Sequence, residues 1–144
     1  MGFTKVWIHL VWATKKREPV LHKELRTPLF LYIRENAKKK NIHLDFVNGY
    51  TDHVHCLISL DADQTIAKIV QLMKGESSYW INQQKLLQRR FEWQAEYFAV
   101  SIGESGINNV REYIKNQEQH HQKKTFEQGY REFIEKYDFV LEQS

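Results

Sequence analysis

His53 and His55 flank Val54 at the head of an apolar run that reaches Leu60. Residues two apart on a β-strand share a face, so the two imidazoles stand side by side. Val54, Cys56, Ile58 and Leu60 then point to the opposite face and read as core. Two imidazoles on an apolar strand make a candidate metal-ligand pair. Downstream, Tyr113 and Gln117 lie one helical turn apart. Together the four residues suggest a nucleophile and a metal cage.

The stretch from Ile107 to about Gln122 is predicted to be a helix. At about 100° per residue, Ile107, Val110 and Ile114 form its apolar stripe. Tyr113, Gln117 and His120 follow i, i+4, i+7 spacing along the flank of that stripe. A phenol, a carboxamide and an imidazole therefore share a half-buried edge, aimed at whatever the helix packs against. Each residue alone has a plainer reading. A histidine pair on a strand is more often structural, a helical tyrosine usually packs, and a glutamine one turn on usually faces water. Taken together and in this order, the functional reading prevails.

The remaining elements must position these groups. Lys5 to Thr14 alternates, with Val6, Ile8, Leu10 and Trp12 on one face and Trp7, His9, Val11 and Ala13 on the other. A basic loop, Lys15 to Pro19, precedes a helix from Leu21 to about Lys40 striped by Leu25, Leu29, Ile33 and Ala37. Pro28 is awkward inside it and suggests that the true first turn lies there. Ile42 to Asn48 is a second strand. Asn48-Gly49 and Thr51-Asp52 carry turn chemistry and lead into the third strand, His53 to Leu60. A second helix is expected over about Thr65 to Gln83, with Ile66, Ile69, Val70, Met73, Trp80 and Ile81 as its apolar side. Lys85 to Arg90 is a polar connection, and Phe91 to Ile102 is a fourth, interrupted strand region. Gly103 to Gly106 is a turn before the tyrosine helix. Thr125 and Gln128 fit a capping box that opens a short terminal helix to about Tyr137.

This order, β-α-β-β-α-β followed by helices, is ferredoxin-like. The fold class is α+β, with an added tyrosine-bearing helix and a short terminal helix. The 144 residues form one domain: a core over about 1–102, the tyrosine helix over about 107–122 and the terminal helix over about 125–137. One sheet face packs on the two crossover helices. The other carries Trp7, His9, His53 and His55 and is expected to be left for function or a partner.

The formal net charge is +3, and the basic residues are grouped, as in Lys15-Lys16-Arg17, Lys38-Lys39-Lys40 and Arg89-Arg90. Any single cluster reads as a solvated face. Several clusters beside many aromatic residues favour polyanion binding. The single cysteine, Cys56, excludes an intrachain disulfide and reads as an inert buried thiol. No apolar run approaches the ~20 residues of a membrane span, and the N-terminus has no signal-peptide pattern. A cytoplasmic protein is the default expectation. No Gly-rich P-loop is present, so no nucleotide cofactor is expected.

The segments Thr51-Asp52-His53-Val54-His55-Cys56-Leu57-Ile58 and Tyr113-Ile114-Lys115-Asn116-Gln117 resemble the single-tyrosine HUH transposases. These are small enzymes of bacterial insertion sequences that move as single-stranded DNA. HUH denotes His, bulky hydrophobe, His; the middle residue here is Val54. The Trp-rich first strand, Lys74-Gly75 and the segment from Trp93 to Ser101 also fall where that family has them.

The resemblance implies one divalent cation, Mg²⁺ or Mn²⁺, held by His53, His55 and Gln117. It implies Tyr113 as the nucleophile, forming a 5′-phosphotyrosine and a free 3′-OH on single-stranded DNA with hairpin structure. Asp52 is a candidate to orient a ligand imidazole, with a plain turn residue as the equal alternative. His120 is a candidate phosphate contact or proton relay, and His9 is not assigned as a ligand. Lys15, Lys16, Arg17, Lys74, Arg89 and Arg90 are candidate DNA contacts. A homodimer is implied, with the tyrosine helix acting in cis or in trans. Three alternatives stand beside the active transposase: a domesticated repeat-processing relative, a noncatalytic nucleic-acid-binding ferredoxin-like domain, and a single-strand nuclease that uses metal and water.

Overall fold

The computed structural model describes residues 4–117 together with Gln128 and Arg131. The expected terminal helix apart from Gln128 and Arg131, the extension of the tyrosine helix to Gln122, and His120 lie outside the described residues. The elements run β1 (Val6–Ala13), α1 (Lys23–Lys39), β2 (His43–Gly49), β3 (His53–Leu60), α2 (Ile66–Gln84), β4 (Phe98–Ile102) and α3 (Ile107–Lys115). Short 3-10 turns at Lys15–Arg17 and Glu104–Gly106 precede α1 and α3.

The strands form one sheet in the order β2-β3-β1-β4, and every pairing is antiparallel. This is the ferredoxin-like arrangement, in which α1 and α2 each cross over between strands that are not neighbours. β1 and β3 occupy the centre, so their alternation decides what each face carries. Ile8, Leu10, Trp12, Val54, Cys56 and Ile58 are buried against α1 and α2. Trp7, Val11 and Leu57 are buried on the opposite face.

α1 buries Leu25, Leu29, Ile33 and Ala37, the expected stripe. It begins at Lys23, five residues before Pro28, which corrects the expectation of a first turn at the proline. The proline deprives only the Glu24 carbonyl of its partner, and Glu24 lies in the exposed first turn, where water can replace the missing N–H. Thr65 caps α2 by accepting from Lys68 N at 3.3 Å. The buried stripe of α2 includes Ser77, whose hydroxyl accepts from Trp93 Nε1 at 2.9 Å. Ile66 and Trp80 are only partly buried, and Trp80 stacks on Tyr32 of α1 at 5.1 Å. The fourth strand is indeed interrupted: Trp93 makes a single bridge to Thr14, and regular pairing starts at Phe98.

The second sheet face is not left open. α3 lies across it, burying Ile107, Val110, Tyr113 and Ile114 against Trp7, Val11, Leu57 and Ile102. An amphipathic helix must bury its apolar stripe, and the short turn at Glu104–Gly106 returns the chain directly over its own sheet. Three polar ties hold it there. Trp7 Nε1 donates to Glu104 Oε2 at 2.8 Å. Arg111 grips Asp45 with two hydrogen bonds, Nε to Oδ2 at 2.7 Å and Nη2 to Oδ1 at 2.9 Å. Asn48 Nδ2 donates to the carbonyls of Ile114 at 2.9 Å and Lys115 at 3.1 Å. Asp45 sits where the β2–β3 register shifts between Leu44 and Phe46.

Candidate active site

The β1–β3 register builds the first half of the site. Val11 pairs with His55 and Ala13 with His53. His9, two residues before Val11, is thus the diagonal neighbour of His55 on the same face. The small Ala13 side chain leaves room opposite His53. His53 and His55 have ring centroids 5.0 Å apart and are both fully buried.

Each imidazole is gripped from behind. His53 Nδ1 lies 2.7 Å from Asp52 Oδ1, and the other carboxylate oxygen accepts from Arg17 Nε at 3.1 Å. Burial alone would raise the Asp52 carboxyl, but the His53 contact and Arg17 outweigh it and hold it below the ordinary carboxylate value. His55 Nδ1 lies 2.9 Å from His9 Nε2, with the two rings stacked at 5.1 Å. Complete burial pulls His9 down to about 3, so its ring is neutral.

α3 and the residues after it supply the second half. Asn116 closes the helix, and Gln117 follows, fully buried. Gln117 Nε2 donates to Tyr113 O at 3.0 Å, which turns Oε1 towards His53 Nε2 at 3.2 Å. With Asp52 accepting the Nδ1 proton, a neutral His53 presents a lone pair at Nε2 to a carbonyl oxygen. Two acceptors at that separation are favourable only with a second ring proton or a cation between them. Adjacent donors on an octahedral ion with bonds of ~2.1 Å stand about 3 Å apart, so this pair fits one divalent cation. His55 would join through Nε2, because Nδ1 is engaged by His9. Two imidazoles and one neutral oxygen leave positions for water and phosphate oxygens, as a reactive rather than a closed site requires. Among the described residues, no three His, Cys, Asp or Glu side chains form a metal cluster. A third protein donor beside the two imidazoles would have to be the Gln117 carboxamide oxygen.

The Tyr113 ring packs edge-on against His55 at 5.7 Å and His9 at 6.3 Å. It is 5 % exposed. Burial pushes its phenol well above the ordinary value, with a Gln117 hydrogen bond pulling the other way. The phenol and the imidazole pair thus meet within one chain.

The basic residues singled out in the sequence behave differently from one another. Lys15 pairs with Glu92 at 2.7 Å, Arg17 with Asp52, and Arg89 with Glu18 at 2.6 Å. Lys74 Nζ is held by the carbonyls of Gln94 at 2.5 Å and Ala95 at 3.1 Å. Lys16 and Arg90 are exposed. An open cleft of about 1100 Å³ is lined by Lys15, Lys74, Tyr79 and Arg90, and a second of about 730 Å³ by Lys16, Arg89 and Arg90. The residues that sequence reasoning missed are those that seat α3: Asp45, Asn48 and Arg111. Arg111 lies one helical position from the apolar stripe, but nothing in the sequence pairs it with β2.

A family model described as IS200-like transposase matches residues 3–117. The chain is 26% identical over 114 residues to the ISDra2 transposase TnpA of Deinococcus radiodurans, covering 76% of this chain and 81% of that protein. A crystal structure of a Deinococcus radiodurans R1 protein described as a transposase superposes with a TM-score of 0.64 at 26% identity, over 81% of this chain and 93% of the other. The REP-associated tyrosine transposase bound to a REP hairpin shares the fold, with a TM-score of 0.60 at 15% identity, over 84% of this chain and 72% of the other. These matches set the chain among DNA-processing transposases. It belongs to the IS200-like transposase family.

No helix among the described residues is long and apolar enough to cross a membrane.

Proposed function

We propose that this chain cleaves and rejoins single-stranded DNA at hairpin-bearing ends through a covalent 5′-phosphotyrosine at Tyr113. His53, His55 and Gln117 would hold one divalent cation, Mg²⁺ or Mn²⁺. One observation carries the reading. The same segment that sets the Tyr113 ring 5.7 Å from His55 also sets Gln117 Oε1 3.2 Å from His53 Nε2. A packing tyrosine has no need of a carboxamide turned into an imidazole one helical turn away.

When bound, the cation polarises a nonbridging oxygen of the scissile phosphate. His53, held by Asp52, and Gln117, held by the Tyr113 carbonyl, fix two of its positions. Tyr113 Oη attacks phosphorus in line, forming the O–P bond as the bond to the 3′ oxygen breaks. The phenolic proton passes to water and water returns one to the departing 3′ oxygen, so the step is neutral in protons. The phosphotyrosine conserves the phosphodiester energy, and attack by a 3′-OH reverses the step without ATP. Because Tyr113 is buried, DNA reaches it only when α3 shifts on the sheet.

DNA is followed by Lys16 and Arg90 along the clefts, with exposed Tyr79 available to stack on an unpaired base. The Lys15–Glu92 and Arg89–Glu18 pairs are exposed, and such pairs contribute little, so a phosphate can displace either carboxylate. Lys74 is committed to backbone carbonyls and orders the segment before β4. The hairpin bound by the REP-associated structure supports hairpin DNA as the substrate class. In a homodimer each subunit carries both halves of its own site.

The test is a denaturing gel of the protein with labelled single-stranded hairpin oligonucleotides and Mg²⁺ or Mn²⁺. A covalent protein–DNA band is expected, lost with Tyr113→Phe and with chelator. Cleavage without an adduct would refute the tyrosine mechanism in favour of a metal-and-water nuclease.

A further inference from the structure

His9 is a fully buried polar side chain for which the reaction above has no use. It stands at the centre of β1, on the site face, with Nε2 2.9 Å from His55 Nδ1. The register brings the two rings within reach: Val11 pairs with His55, so the residue two before Val11 lies diagonally across from it.

We infer that His9 is a positioning residue that sets the tautomer and ring orientation of His55 for metal binding. The inference rests on His55 being a metal ligand. A proton shared between two ring nitrogens at 2.9 Å belongs to one of them. If His9 Nε2 carries it, His55 Nδ1 is the acceptor, and a neutral His55 must hold its own proton on Nε2. That ring cannot coordinate. If His55 Nδ1 carries the proton and His9 accepts, His55 Nε2 presents a lone pair to the cation. Metal binding therefore selects the state in which His55 donates to His9. His53 is treated alike, with Asp52 as its acceptor, so the two ligands are held by two different acceptors from two different segments. A carboxylate at position 9 would bring a charge into the β1–β3 interior. A neutral imidazole gives the same acceptor without one.

The experiment measures Mn²⁺ affinity by titration followed by electron paramagnetic resonance, on the wild type, His9→Leu, His9→Gln and His55→Ala. Long-range ¹H–¹⁵N correlation spectra report the His55 tautomer in the presence of diamagnetic Mg²⁺. Groups that hold metal ligands typically change affinity 10–100-fold when removed. His9→Leu is expected to weaken Mn²⁺ binding by about that factor and to leave His55 with mixed tautomers. His9→Gln places an amide oxygen near the position of Nε2 and is expected to recover most of the affinity with His55 protonated at Nδ1. Urea unfolding of each variant separates ligand positioning from folding, because a purely structural role moves the midpoint and leaves the His55 tautomer unchanged. Wild-type affinity in a folded His9→Leu overturns the role of His9 alone. Absence of Mn²⁺ binding in the wild type, or its full retention in His55→Ala, overturns the metal assignment and this inference with it.

Discussion

Asn48 offers a way to loosen the tyrosine helix without touching either half of the site. Its Nδ2 donates to the carbonyls of Ile114 and Lys115, the last two residues of α3. Asn48→Asp keeps the shape, removes both donors and sets a carboxylate against the negative end of the helix. Each lost hydrogen bond is worth about 0.5–1.5 kcal/mol. The charge adds about 0.3–1 kcal/mol against the helix dipole. Asn48 is half-buried, so water can reach part of the released surface, and the lower portion of the combined range applies. A loss of about 2 kcal/mol shifts the docked-to-undocked ratio of α3 about 30-fold. Native-state hydrogen exchange reads this directly. The α3 amides should lose about that factor of protection while the central β1 and β3 amides change little. Asn48→Ala should give a smaller loss, since it brings no charge. Unchanged α3 exchange in a folded Asn48→Asp would refute the tether. Equal loss in α3 and β3 would refute the separate docking of the helix.

Further outcomes follow from other parts of the structure. A Cβ at Gly49 would collide with the backbone carbonyl of His53, so Gly49→Ala should lower the urea midpoint by a shift worth about 1–3 kcal/mol with m unchanged. Burial pushes the Cys56 thiol far above its ordinary value. The native protein should resist a thiol reagent at pH 8 and react once denatured. Because only the unfolded state ionises, the contribution of Cys56 to stability should fall as pH rises above ~8.5, and Cys56→Ala should flatten that slope in pH-dependent urea titrations. With α3 docked on its own sheet, the proposed site forms in cis, so mixing equal amounts of His55→Ala and Tyr113→Phe should give no more covalent adduct on a denaturing gel than either alone. Restored adduct would mean that the tyrosine helix docks on a partner.

The sheet and its crossover helices were legible because burial imposes simple periods. The alternation of β1 assigned Trp7, His9 and Val11 to one face, and the third strand ran from His53 to Leu60 as its apolar pattern required. The i+4 stripe of α1 was equally plain, whereas the start of that helix was not. Pro28 weighed heavily in the sequence, yet its penalty fell on a single solvent-facing carbonyl. Ser77 was invisible as a core residue because its place in the α2 stripe depends on the distant indole of Trp93. Covering of the second sheet face by α3 depends on ties between residues 66 positions apart, such as Arg111 and Asp45. Such pairings have no local signature. The same holds for His9. Its face was readable, but its contact with His55 required the strand register. The basic clusters were readable as clusters, while the carboxylates beside them became evident only in three dimensions.

The contacts that shape the candidate site are long-range in the chain. His9 and His55 are 46 positions apart, and His53 and Gln117 are 64 apart. No short fragment can therefore assemble it. A nascent chain extended only as far as β4, or a proteolytic piece ending before Tyr113, has the histidine pair without the phenol or the carboxamide. On the function proposed above, the capacity to break a strand therefore arises only after all four strands of the sheet have been made.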